Sequence, residues 1–308
     1  MPRSSSLATN PVLRNFAQDA AQNSIRRVAD FLAPSVEVPT LTGKYKVYSA
    51  AHRYKRPKTR RAAHERATML GFSASDANYN LEGNALDFPI DNEDNLNDEG
   101  LLNQAQYGAQ LVADAAGLTH ESETISLALT TLGAGTDINV AAANYDLVDA
   151  LDTHILNVMK AAKNGAGIRV LFGVTAWRRT KNHASVRAQF KGGGSKANST
   201  PSMPEVSDML IGKPEMETAF MVEDTAADGV AESINFMLDT QVIIFACNPR
   251  PNTMDPSFMK TFRLMGGWMK PGSYLREDER GEVLKMDWHE QIAVTNSVAA
   301  VRLNLNIA

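Results

Sequence analysis

Two His-Glu pairs, His120-Glu121 and His289-Glu290, are the nearest this chain comes to catalytic spacing. A zinc-protease helix needs a second histidine four residues after the first, so that both rings meet the metal while the glutamate acts as base. Those positions hold Thr124 and Ala293, so neither pair can do this chemistry. Gly133-Ala134-Gly135 has no third glycine in register for a dinucleotide turn, and no Gly-Lys-Ser/Thr phosphate loop or Gly-x-Ser-x-Gly elbow occurs. The run Lys191-Gly192-Gly193-Gly194-Ser195-Lys196 reads as a flexible surface loop ahead of a phosphate cradle. The six histidines are dispersed and Cys247 is the single cysteine, which excludes an internal disulfide and leaves no visible metal cluster. Cys247 sits in an apolar run and reads as a small buried hydrophobe, in a compartment that is reducing while the chain folds. The expectation is therefore no catalytic, cofactor or metal residues, and no enzyme.

The charged residues act as blocks instead. Residues 1–66 hold 13 Lys/Arg against four Asp/Glu. From Ala67 to Met159 stand 15 Asp/Glu and no Lys or Arg. Lys160 to Ala308 holds 18 basic and 16 acidic residues, so a formal net charge of −4 conceals blocks of +9, −15 and +2. Opposed blocks of this size favour head-to-tail contact between copies. Such contact is heterologous, closing into rings or shells or running on as a filament. The positive pole concentrates in Arg53, Lys55, Arg56, Lys58, Arg60, Arg61 and Arg66, the negative pole in Asp91, Glu93, Asp94, Asp98 and Glu99. These are the candidate intersubunit contacts. The basic run has two rival readings, an exposed loop without a partner and a nucleic-acid patch in which Tyr54 interleaves. Against nucleic acid stands the adjoining acidic block, which repels phosphates.

These poles need elements to hold them. No apolar run approaches the roughly 20 residues of a membrane span, the longest being Val242–Cys247, and Met1–Ser6 lacks the apolar core of a secretory signal. Residues 1–36 read as an arm, with a short amphipathic helix within Phe16–Leu32 ended by Pro34, and too few large apolar residues to order it alone. Neighbouring subunits are expected to hold it, the alternative being that it packs back on its own domain. Gly43–Tyr48 and the stretch through Tyr79 and Leu81 alternate as two strands flanking the basic run, which predicts a long projecting hairpin. Leu101, Leu102, Ala105, Ala109, Val112, Ala116 and Thr119 mark one face of a helix running from near Asn97 to Leu132, with Gly108 and Gly117 admitting a close neighbour. Leu147, Leu151, Ile155, Val158 and Ala162 mark a second helix, stopped at Asn164-Gly165. Ile168–Phe172 is a buried strand, and a third helix with Trp177 and Val186 starts at an N-cap on Thr175.

The order of these pieces resembles the major capsid proteins of tailed bacteriophages, which share the Hong Kong 97-type fold. Glu82-Gly83-Asn84-Ala85-Leu86-Asp87-Phe88-Pro89-Ile90-Asp91 resembles the returning strand of the extended hairpin, the E-loop, where it enters the long spine helix. Gly173-Val174-Thr175-Ala176-Trp177-Arg178-Arg179 with Asn182-His183 is similar to an axial-domain segment, as is Val242–Pro249 followed by Ser257-Phe258. Tyr274–Asp278, Val283–Trp288 and Ile292–Leu305 resemble strands that close the peripheral domain.

The resemblance implies an α+β chain with an N-terminal arm at 1–36, an E-loop at 47–90, a peripheral domain at 37–46, 91–138 and 273–308, and an axial domain at 139–272. It implies a structural protein that assembles with itself into pentamers and hexamers of an icosahedral shell around double-stranded DNA. The shell would be a virion capsid built in the host cytoplasm, with scaffolding, portal and decoration proteins as further partners, no cofactor and no membrane. Lys44, Lys46, Lys55 and Lys58 are the lysines a cross-linking relative would use, but no partner asparagine or catalytic glutamate matches, so the sequence assigns no cross-link. Two alternatives stand beside it: an encapsulin-like nanocompartment shell, and an unrecognised oligomeric enzyme.

Overall fold

Two sheets and one long helix carry the architecture. The computed structural model describes residues 27–48, 56–57, 59–61, 63, 66–69, 74–91, 101–141, 145–162, 167–191, 200–226, 229–253, 255–266, 270–276 and 281–306. In chain order the first elements are α1 (Arg27–Leu32), β1 (Ser35–Val38), β2 (Thr42–Tyr48), β3 (Ala74–Asn80), β4 (Glu82–Asp91) and α2 (Leu101–Leu132). Then come β5 (Thr136–Asn139), α3 (Leu147–Ala162), β6 (Ile168–Gly173), α4 (Val174–Asn182), α5 (Ala184–Lys191), α6 (Met203–Met209) and β7 (Glu215–Ala219). The chain continues through β8 (Val222–Asp224), β9 (Ile234–Phe236), β10 (Gln241–Ala246), β11 (Met259–Leu264), β12 (Lys270–Leu275), β13 (Gly281–Val294) and β14 (Ala300–Asn306). One sheet runs β1-β11-β13-β12 with β4 also on β13, another runs β5-β14-β10-β6-β7, and β2-β3 and β8-β9 form separate pairs.

The β10 sheet is a full core. Val242 through Cys247 is buried without a break, as a strand covered on both faces should be. Leu147, Leu151, Ile155, Val158 and Ala162 are all buried on the face of α3 that the spacing predicts. Val186 is buried, and Trp177 meets Phe172 edge-to-face at 5.6 Å. The expected cap on Thr175 is corrected: α4 starts two residues earlier, with Gly173 at the N-cap and no side-chain cap. Its first-turn N–H groups are met from elsewhere, Val174 donating to Leu238 O and Ala176 to Asp239 O, so no hydroxyl is needed. The helix also breaks at His183, whose extended backbone places Val186 on α5 instead.

Strand pairing differs from the expected domain grouping at several strands: β4, grouped with the E-loop at 47–90, pairs along its whole length with β13, and β5, grouped with 91–138, joins the β10 sheet. Met259–Leu264, grouped with residues 139–272, pairs in parallel with β1 and antiparallel with β13. The last strand, grouped with 273–308, pairs with β10 and β5. The turn at Ser297–Ala299 reverses the chain, and β14 buries Leu303 and Leu305 in the β10 core.

The β13 sheet is covered on one face by α2. At 1.5 Å per residue this helix spans about 48 Å. Ala109, Val112, Ala113 and Ala116 pack on Leu284, Met286 and Trp288 of β13, with Leu86 and Phe88 of β4 beside them. A Cβ on Gly108 would overlap the Phe88 ring, so the helix approaches only because that residue is glycine. Thr119, expected on this face, is exposed. The side chains of Leu101, Leu102 and Ala105 lie outside the described residues, as do the Asn164-Gly165 stop and the glycine run after Lys191.

Candidate intersubunit surfaces

The projecting hairpin forms as the alternation predicts. β2 and β3 pair antiparallel from Thr42 with Asn80 to Tyr48 with Ala74. Its root is clamped: Tyr45 and Tyr79 both lie against Phe262, with ring centroids 5.3 and 5.5 Å away. Thr40 Oγ1 and Tyr79 Oη share a hydrogen bond of 3.0 Å. Beyond the root, the described residues are largely exposed. Arg56, Arg60, Arg61 and Arg66 all stand in solvent, as does Met69. Arg53, Lys55 and Lys58 lie outside the described residues.

Of the acidic candidates, Asp91 closes β4, half-buried, and is met by Arg276 Nη1 of its own chain at 3.6 Å. Glu93, Asp94, Asp98 and Glu99 lie outside the described residues. The structure therefore does not bring the two poles together within one copy among the residues it describes.

The arm boundary needs correction. Residues 27–36 belong to the body: Val28, Phe31, Leu32 and Ala33 are buried in the main core. Phe31 meets Phe245 edge-to-face at 5.7 Å, and the Arg169 guanidinium lies 4.8 Å from the Phe31 ring centre. Phe16–Arg26 lies outside the described residues.

What holds α1 in place was not visible in its own sequence. Glu121, buried on α2, accepts hydrogen bonds from the N–H groups of Val28 at 3.0 Å and Ala29 at 2.9 Å. Burial pushes its carboxyl up to about 7, although the two amides pull the other way. Next to it His120 Nδ1 lies 3.2 Å from Glu290 Oε1, which also accepts from Trp288 Nε1 at 3.0 Å. Arg263 Nε meets Glu290 Oε2 at 3.2 Å and its Nη2 lies 3.3 Å from His120 Nε2. Burial raises the Glu290 carboxyl, but His120, Arg263 and Trp288 outweigh it and hold it below the usual range. Both His-Glu pairs of the sequence thus contribute to this knot, which ties α2, β11 and β13 at one point. A second buried pair, Lys260 with Asp255 at 3.3 Å, fixes the loop before β11, and burial lowers the Lys260 ammonium. Burial raises the Cys247 thiol, away from the reactive thiolate. Among the described residues, no group of three or more His, Cys, Asp or Glu is placed to hold a metal ion.

A second exposed surface escaped the sequence reading. The small β8-β9 hairpin carries Val222, Ile234 and Phe236 in solvent, with Phe220 and Val230 exposed beside it. Its signal in the sequence is modest: two short alternating runs around a turn containing Asp228-Gly229.

No family model and no curated protein matches the chain. Solved structures do. A phage-related protein from Bordetella bronchiseptica is similar over 96% of this chain and 96% of its own, at 15% identity and a TM-score of 0.68. The capsid of cyanophage P-SCSP1u is similar over 91% of this chain and 88% of its own, at 12% identity and a TM-score of 0.54. The SrpI encapsulin of Synechococcus elongatus is similar over 91% and 86%, at 12% identity and a TM-score of 0.53. The chain has the α+β Hong Kong 97-type fold.

Proposed function

We propose that this chain is a major capsid protein, a structural and non-enzymatic subunit that assembles with itself into pentamers and hexamers of an icosahedral shell enclosing double-stranded DNA. The observation that carries the reading is the end-to-end likeness to a phage-related protein, over 96% of both chains. A hairpin that projects from a clamped root, with a strip of exposed arginines at its far end, supports it. In this reading the protein resides in the virion capsid after assembly in the host cytoplasm, the β2-β3 hairpin with the segment between its strands is the E-loop, and α2 is the spine. The spine and the strand before it belong to a block without a basic residue, which suits a wall that must not grip its DNA. Scaffolding, portal and decoration proteins are its further partners.

The basic segment Arg53–Arg66 lies on an acidic surface of the adjacent subunit, with Asp91, Glu93, Asp94, Asp98 and Glu99 as partners. One exposed pair contributes only about 0–1 kcal/mol, so the effect comes from repetition around each capsomer. Screening shortens electrostatic reach from about 10 Å at 0.1 M salt to about 3 Å at 1 M. Assembly rate falls with salt, while finished shells, held also by apolar contacts, resist it.

A second reading, a nanocompartment shell around a protein cargo, is favoured by the likeness to the encapsulin, whose TM-score of 0.53 is close to the cyanophage capsid's 0.54. Electron microscopy and sedimentation of the protein expressed alone test the proposal. Closed particles are expected; a small soluble oligomer contradicts both shell readings. Particles that load a folded enzyme through a short peptide favour the second.

A further inference from the structure

The β8-β9 hairpin carries apolar side chains on its outward face as well. Val222 pairs with Phe236, Glu223 with Asn235 and Asp224 with Ile234. Side chains alternate along a strand, so Glu223 and Asn235 share one face and Val222, Asp224, Ile234 and Phe236 the other. The face that touches the body carries Glu223, to whose Oε2 Ser122 on α2 donates at 2.9 Å, between Met221 and Met237, which pack on the main core. The apolar face looks outward, with Ile234 62% and Phe236 45% exposed. An apolar patch on an outward face, away from the core that could bury it, marks a surface meant to be covered.

Charge identifies the cover. From Pro214 to Pro249 the chain holds seven Asp/Glu and no Lys or Arg. The exposed apolar pair on α2, Tyr107 and Leu111, lies far in sequence from any Lys or Arg and brings no positive charge to an acidic hairpin. The complementary surface is the end of the basic strip, where exposed Arg66 is followed by Met69, 95% exposed. It offers a positive charge and a flexible apolar side chain to a negative and apolar face.

We propose that the outward face of β8-β9 is a docking surface for a second copy of this chain, whose Arg66–Met69 segment lies across Val222, Ile234 and Phe236. The inference rests on the shell reading and adds a contact to it. Residues 53–61 meet the acidic stretch at 91–99, and the end of the strip meets the hairpin.

Phe236 replaced by the photocrosslinker p-benzoylphenylalanine, in protein mixed from nitrogen-14 and nitrogen-15 batches and then assembled, reports the neighbour by mass spectrometry. The expected product joins position 236 to a peptide containing residues 66–69, with mixed isotopes in about half of the cross-links. Cross-links confined to one copy, to other segments, or to a foreign polypeptide overturn the proposal. A second variant reads the same face without a probe. Ile234→Ser lowers particle yield on the order of tenfold while the subunit's unfolding temperature holds; unchanged yield overturns the proposal. Absence of particles from the unsubstituted protein would instead bring down the shell reading itself. The two failures are thus distinguishable.

Discussion

The β10 sheet and the β2-β3 hairpin are both built of paired strands, yet one is buried within a single copy while much of the other stays in solvent. Along β10 every residue from Val242 to Ala246 is buried, under a helix whose Leu151 and Ile155 are equally buried. Along β2 and β3 the apolar residues near the root, Tyr45 and Tyr79, find Phe262, while most described residues further out stay in solvent. A domain has to bury enough apolar surface to offset chain entropy. The β10 region does so alone, which leaves the hairpins free to present surface to other copies. In the proposed shell this becomes a division of labour: stability sits in one region, association in the other.

The comparison breaks if the core proves dispensable. Ile155→Asp places an unpaired charge where nothing can meet it, and soluble protein should be lost altogether. The milder Ile155→Ala should cost about 2–5 kcal/mol, read as a lower unfolding temperature and lower soluble yield before any change in particle shape. Normal particle yield from Ile155→Asp would refute the division.

Next in size is the knot that ties α2, β11 and β13. Glu290→Ala leaves Arg263 buried without its closest carboxylate, and removing one partner of such a pair costs about 3–5 kcal/mol. Chemical denaturation of the unassembled subunit should show it. A loss under about 1 kcal/mol would mean that solvent reaches the knot.

Glu121 sharpens the comparison with pH. Its folded carboxyl is raised to about 7 from an ordinary 4.5. A raised pKa means that the folded state favours the protonated form, so this contribution is full below about pH 4.5 and is lost as pH rises through about 7. Unfolding free energy should fall across that window, and Glu121→Gln, which cannot ionise, should flatten the slope. An unchanged slope in the variant would remove Glu121 as its source.

Smallest in stability, largest in assembly, is the reversal of Arg60 and Arg61 to Glu. Exposed side chains rarely shift stability by more than about 0.5 kcal/mol, so the subunit should unfold normally yet fail to assemble. Reversing acids on the partner surface should restore part of the yield.

How much of this was legible depended on whether the cause was local. Steps of three and four from Leu147 to Ala162 announced α3 because one face of one helix meets the core. Alternation at Tyr45 and Tyr79 announced the hairpin for the same reason. The placement of β14 was not legible, since Ala300–Asn306 would suit either sheet and only the turn at Ser297–Ala299 decides. The cap of α4 comes from Leu238 and Asp239, far along the chain from Val174. Glu121 holds α1 across 92 residues, a pairing no local pattern records. The outward face of β8-β9 becomes readable only when Ser122 shows which side turns in. For the intersubunit candidates, the sequence named the poles, and the structure shows four of the arginines in solvent and Asp91 already engaged by Arg276.

Hydrogen exchange measured on assembled particles and on dissociated subunits tests the division of labour most directly. Backbone amides of β2-β3 and β8-β9 should slow markedly on assembly, while those of β10, β6 and α3, already buried in one copy, should exchange alike in both states. Equal exchange of the hairpins in particle and subunit, or protection gained mainly in β10 and α3, would contradict it.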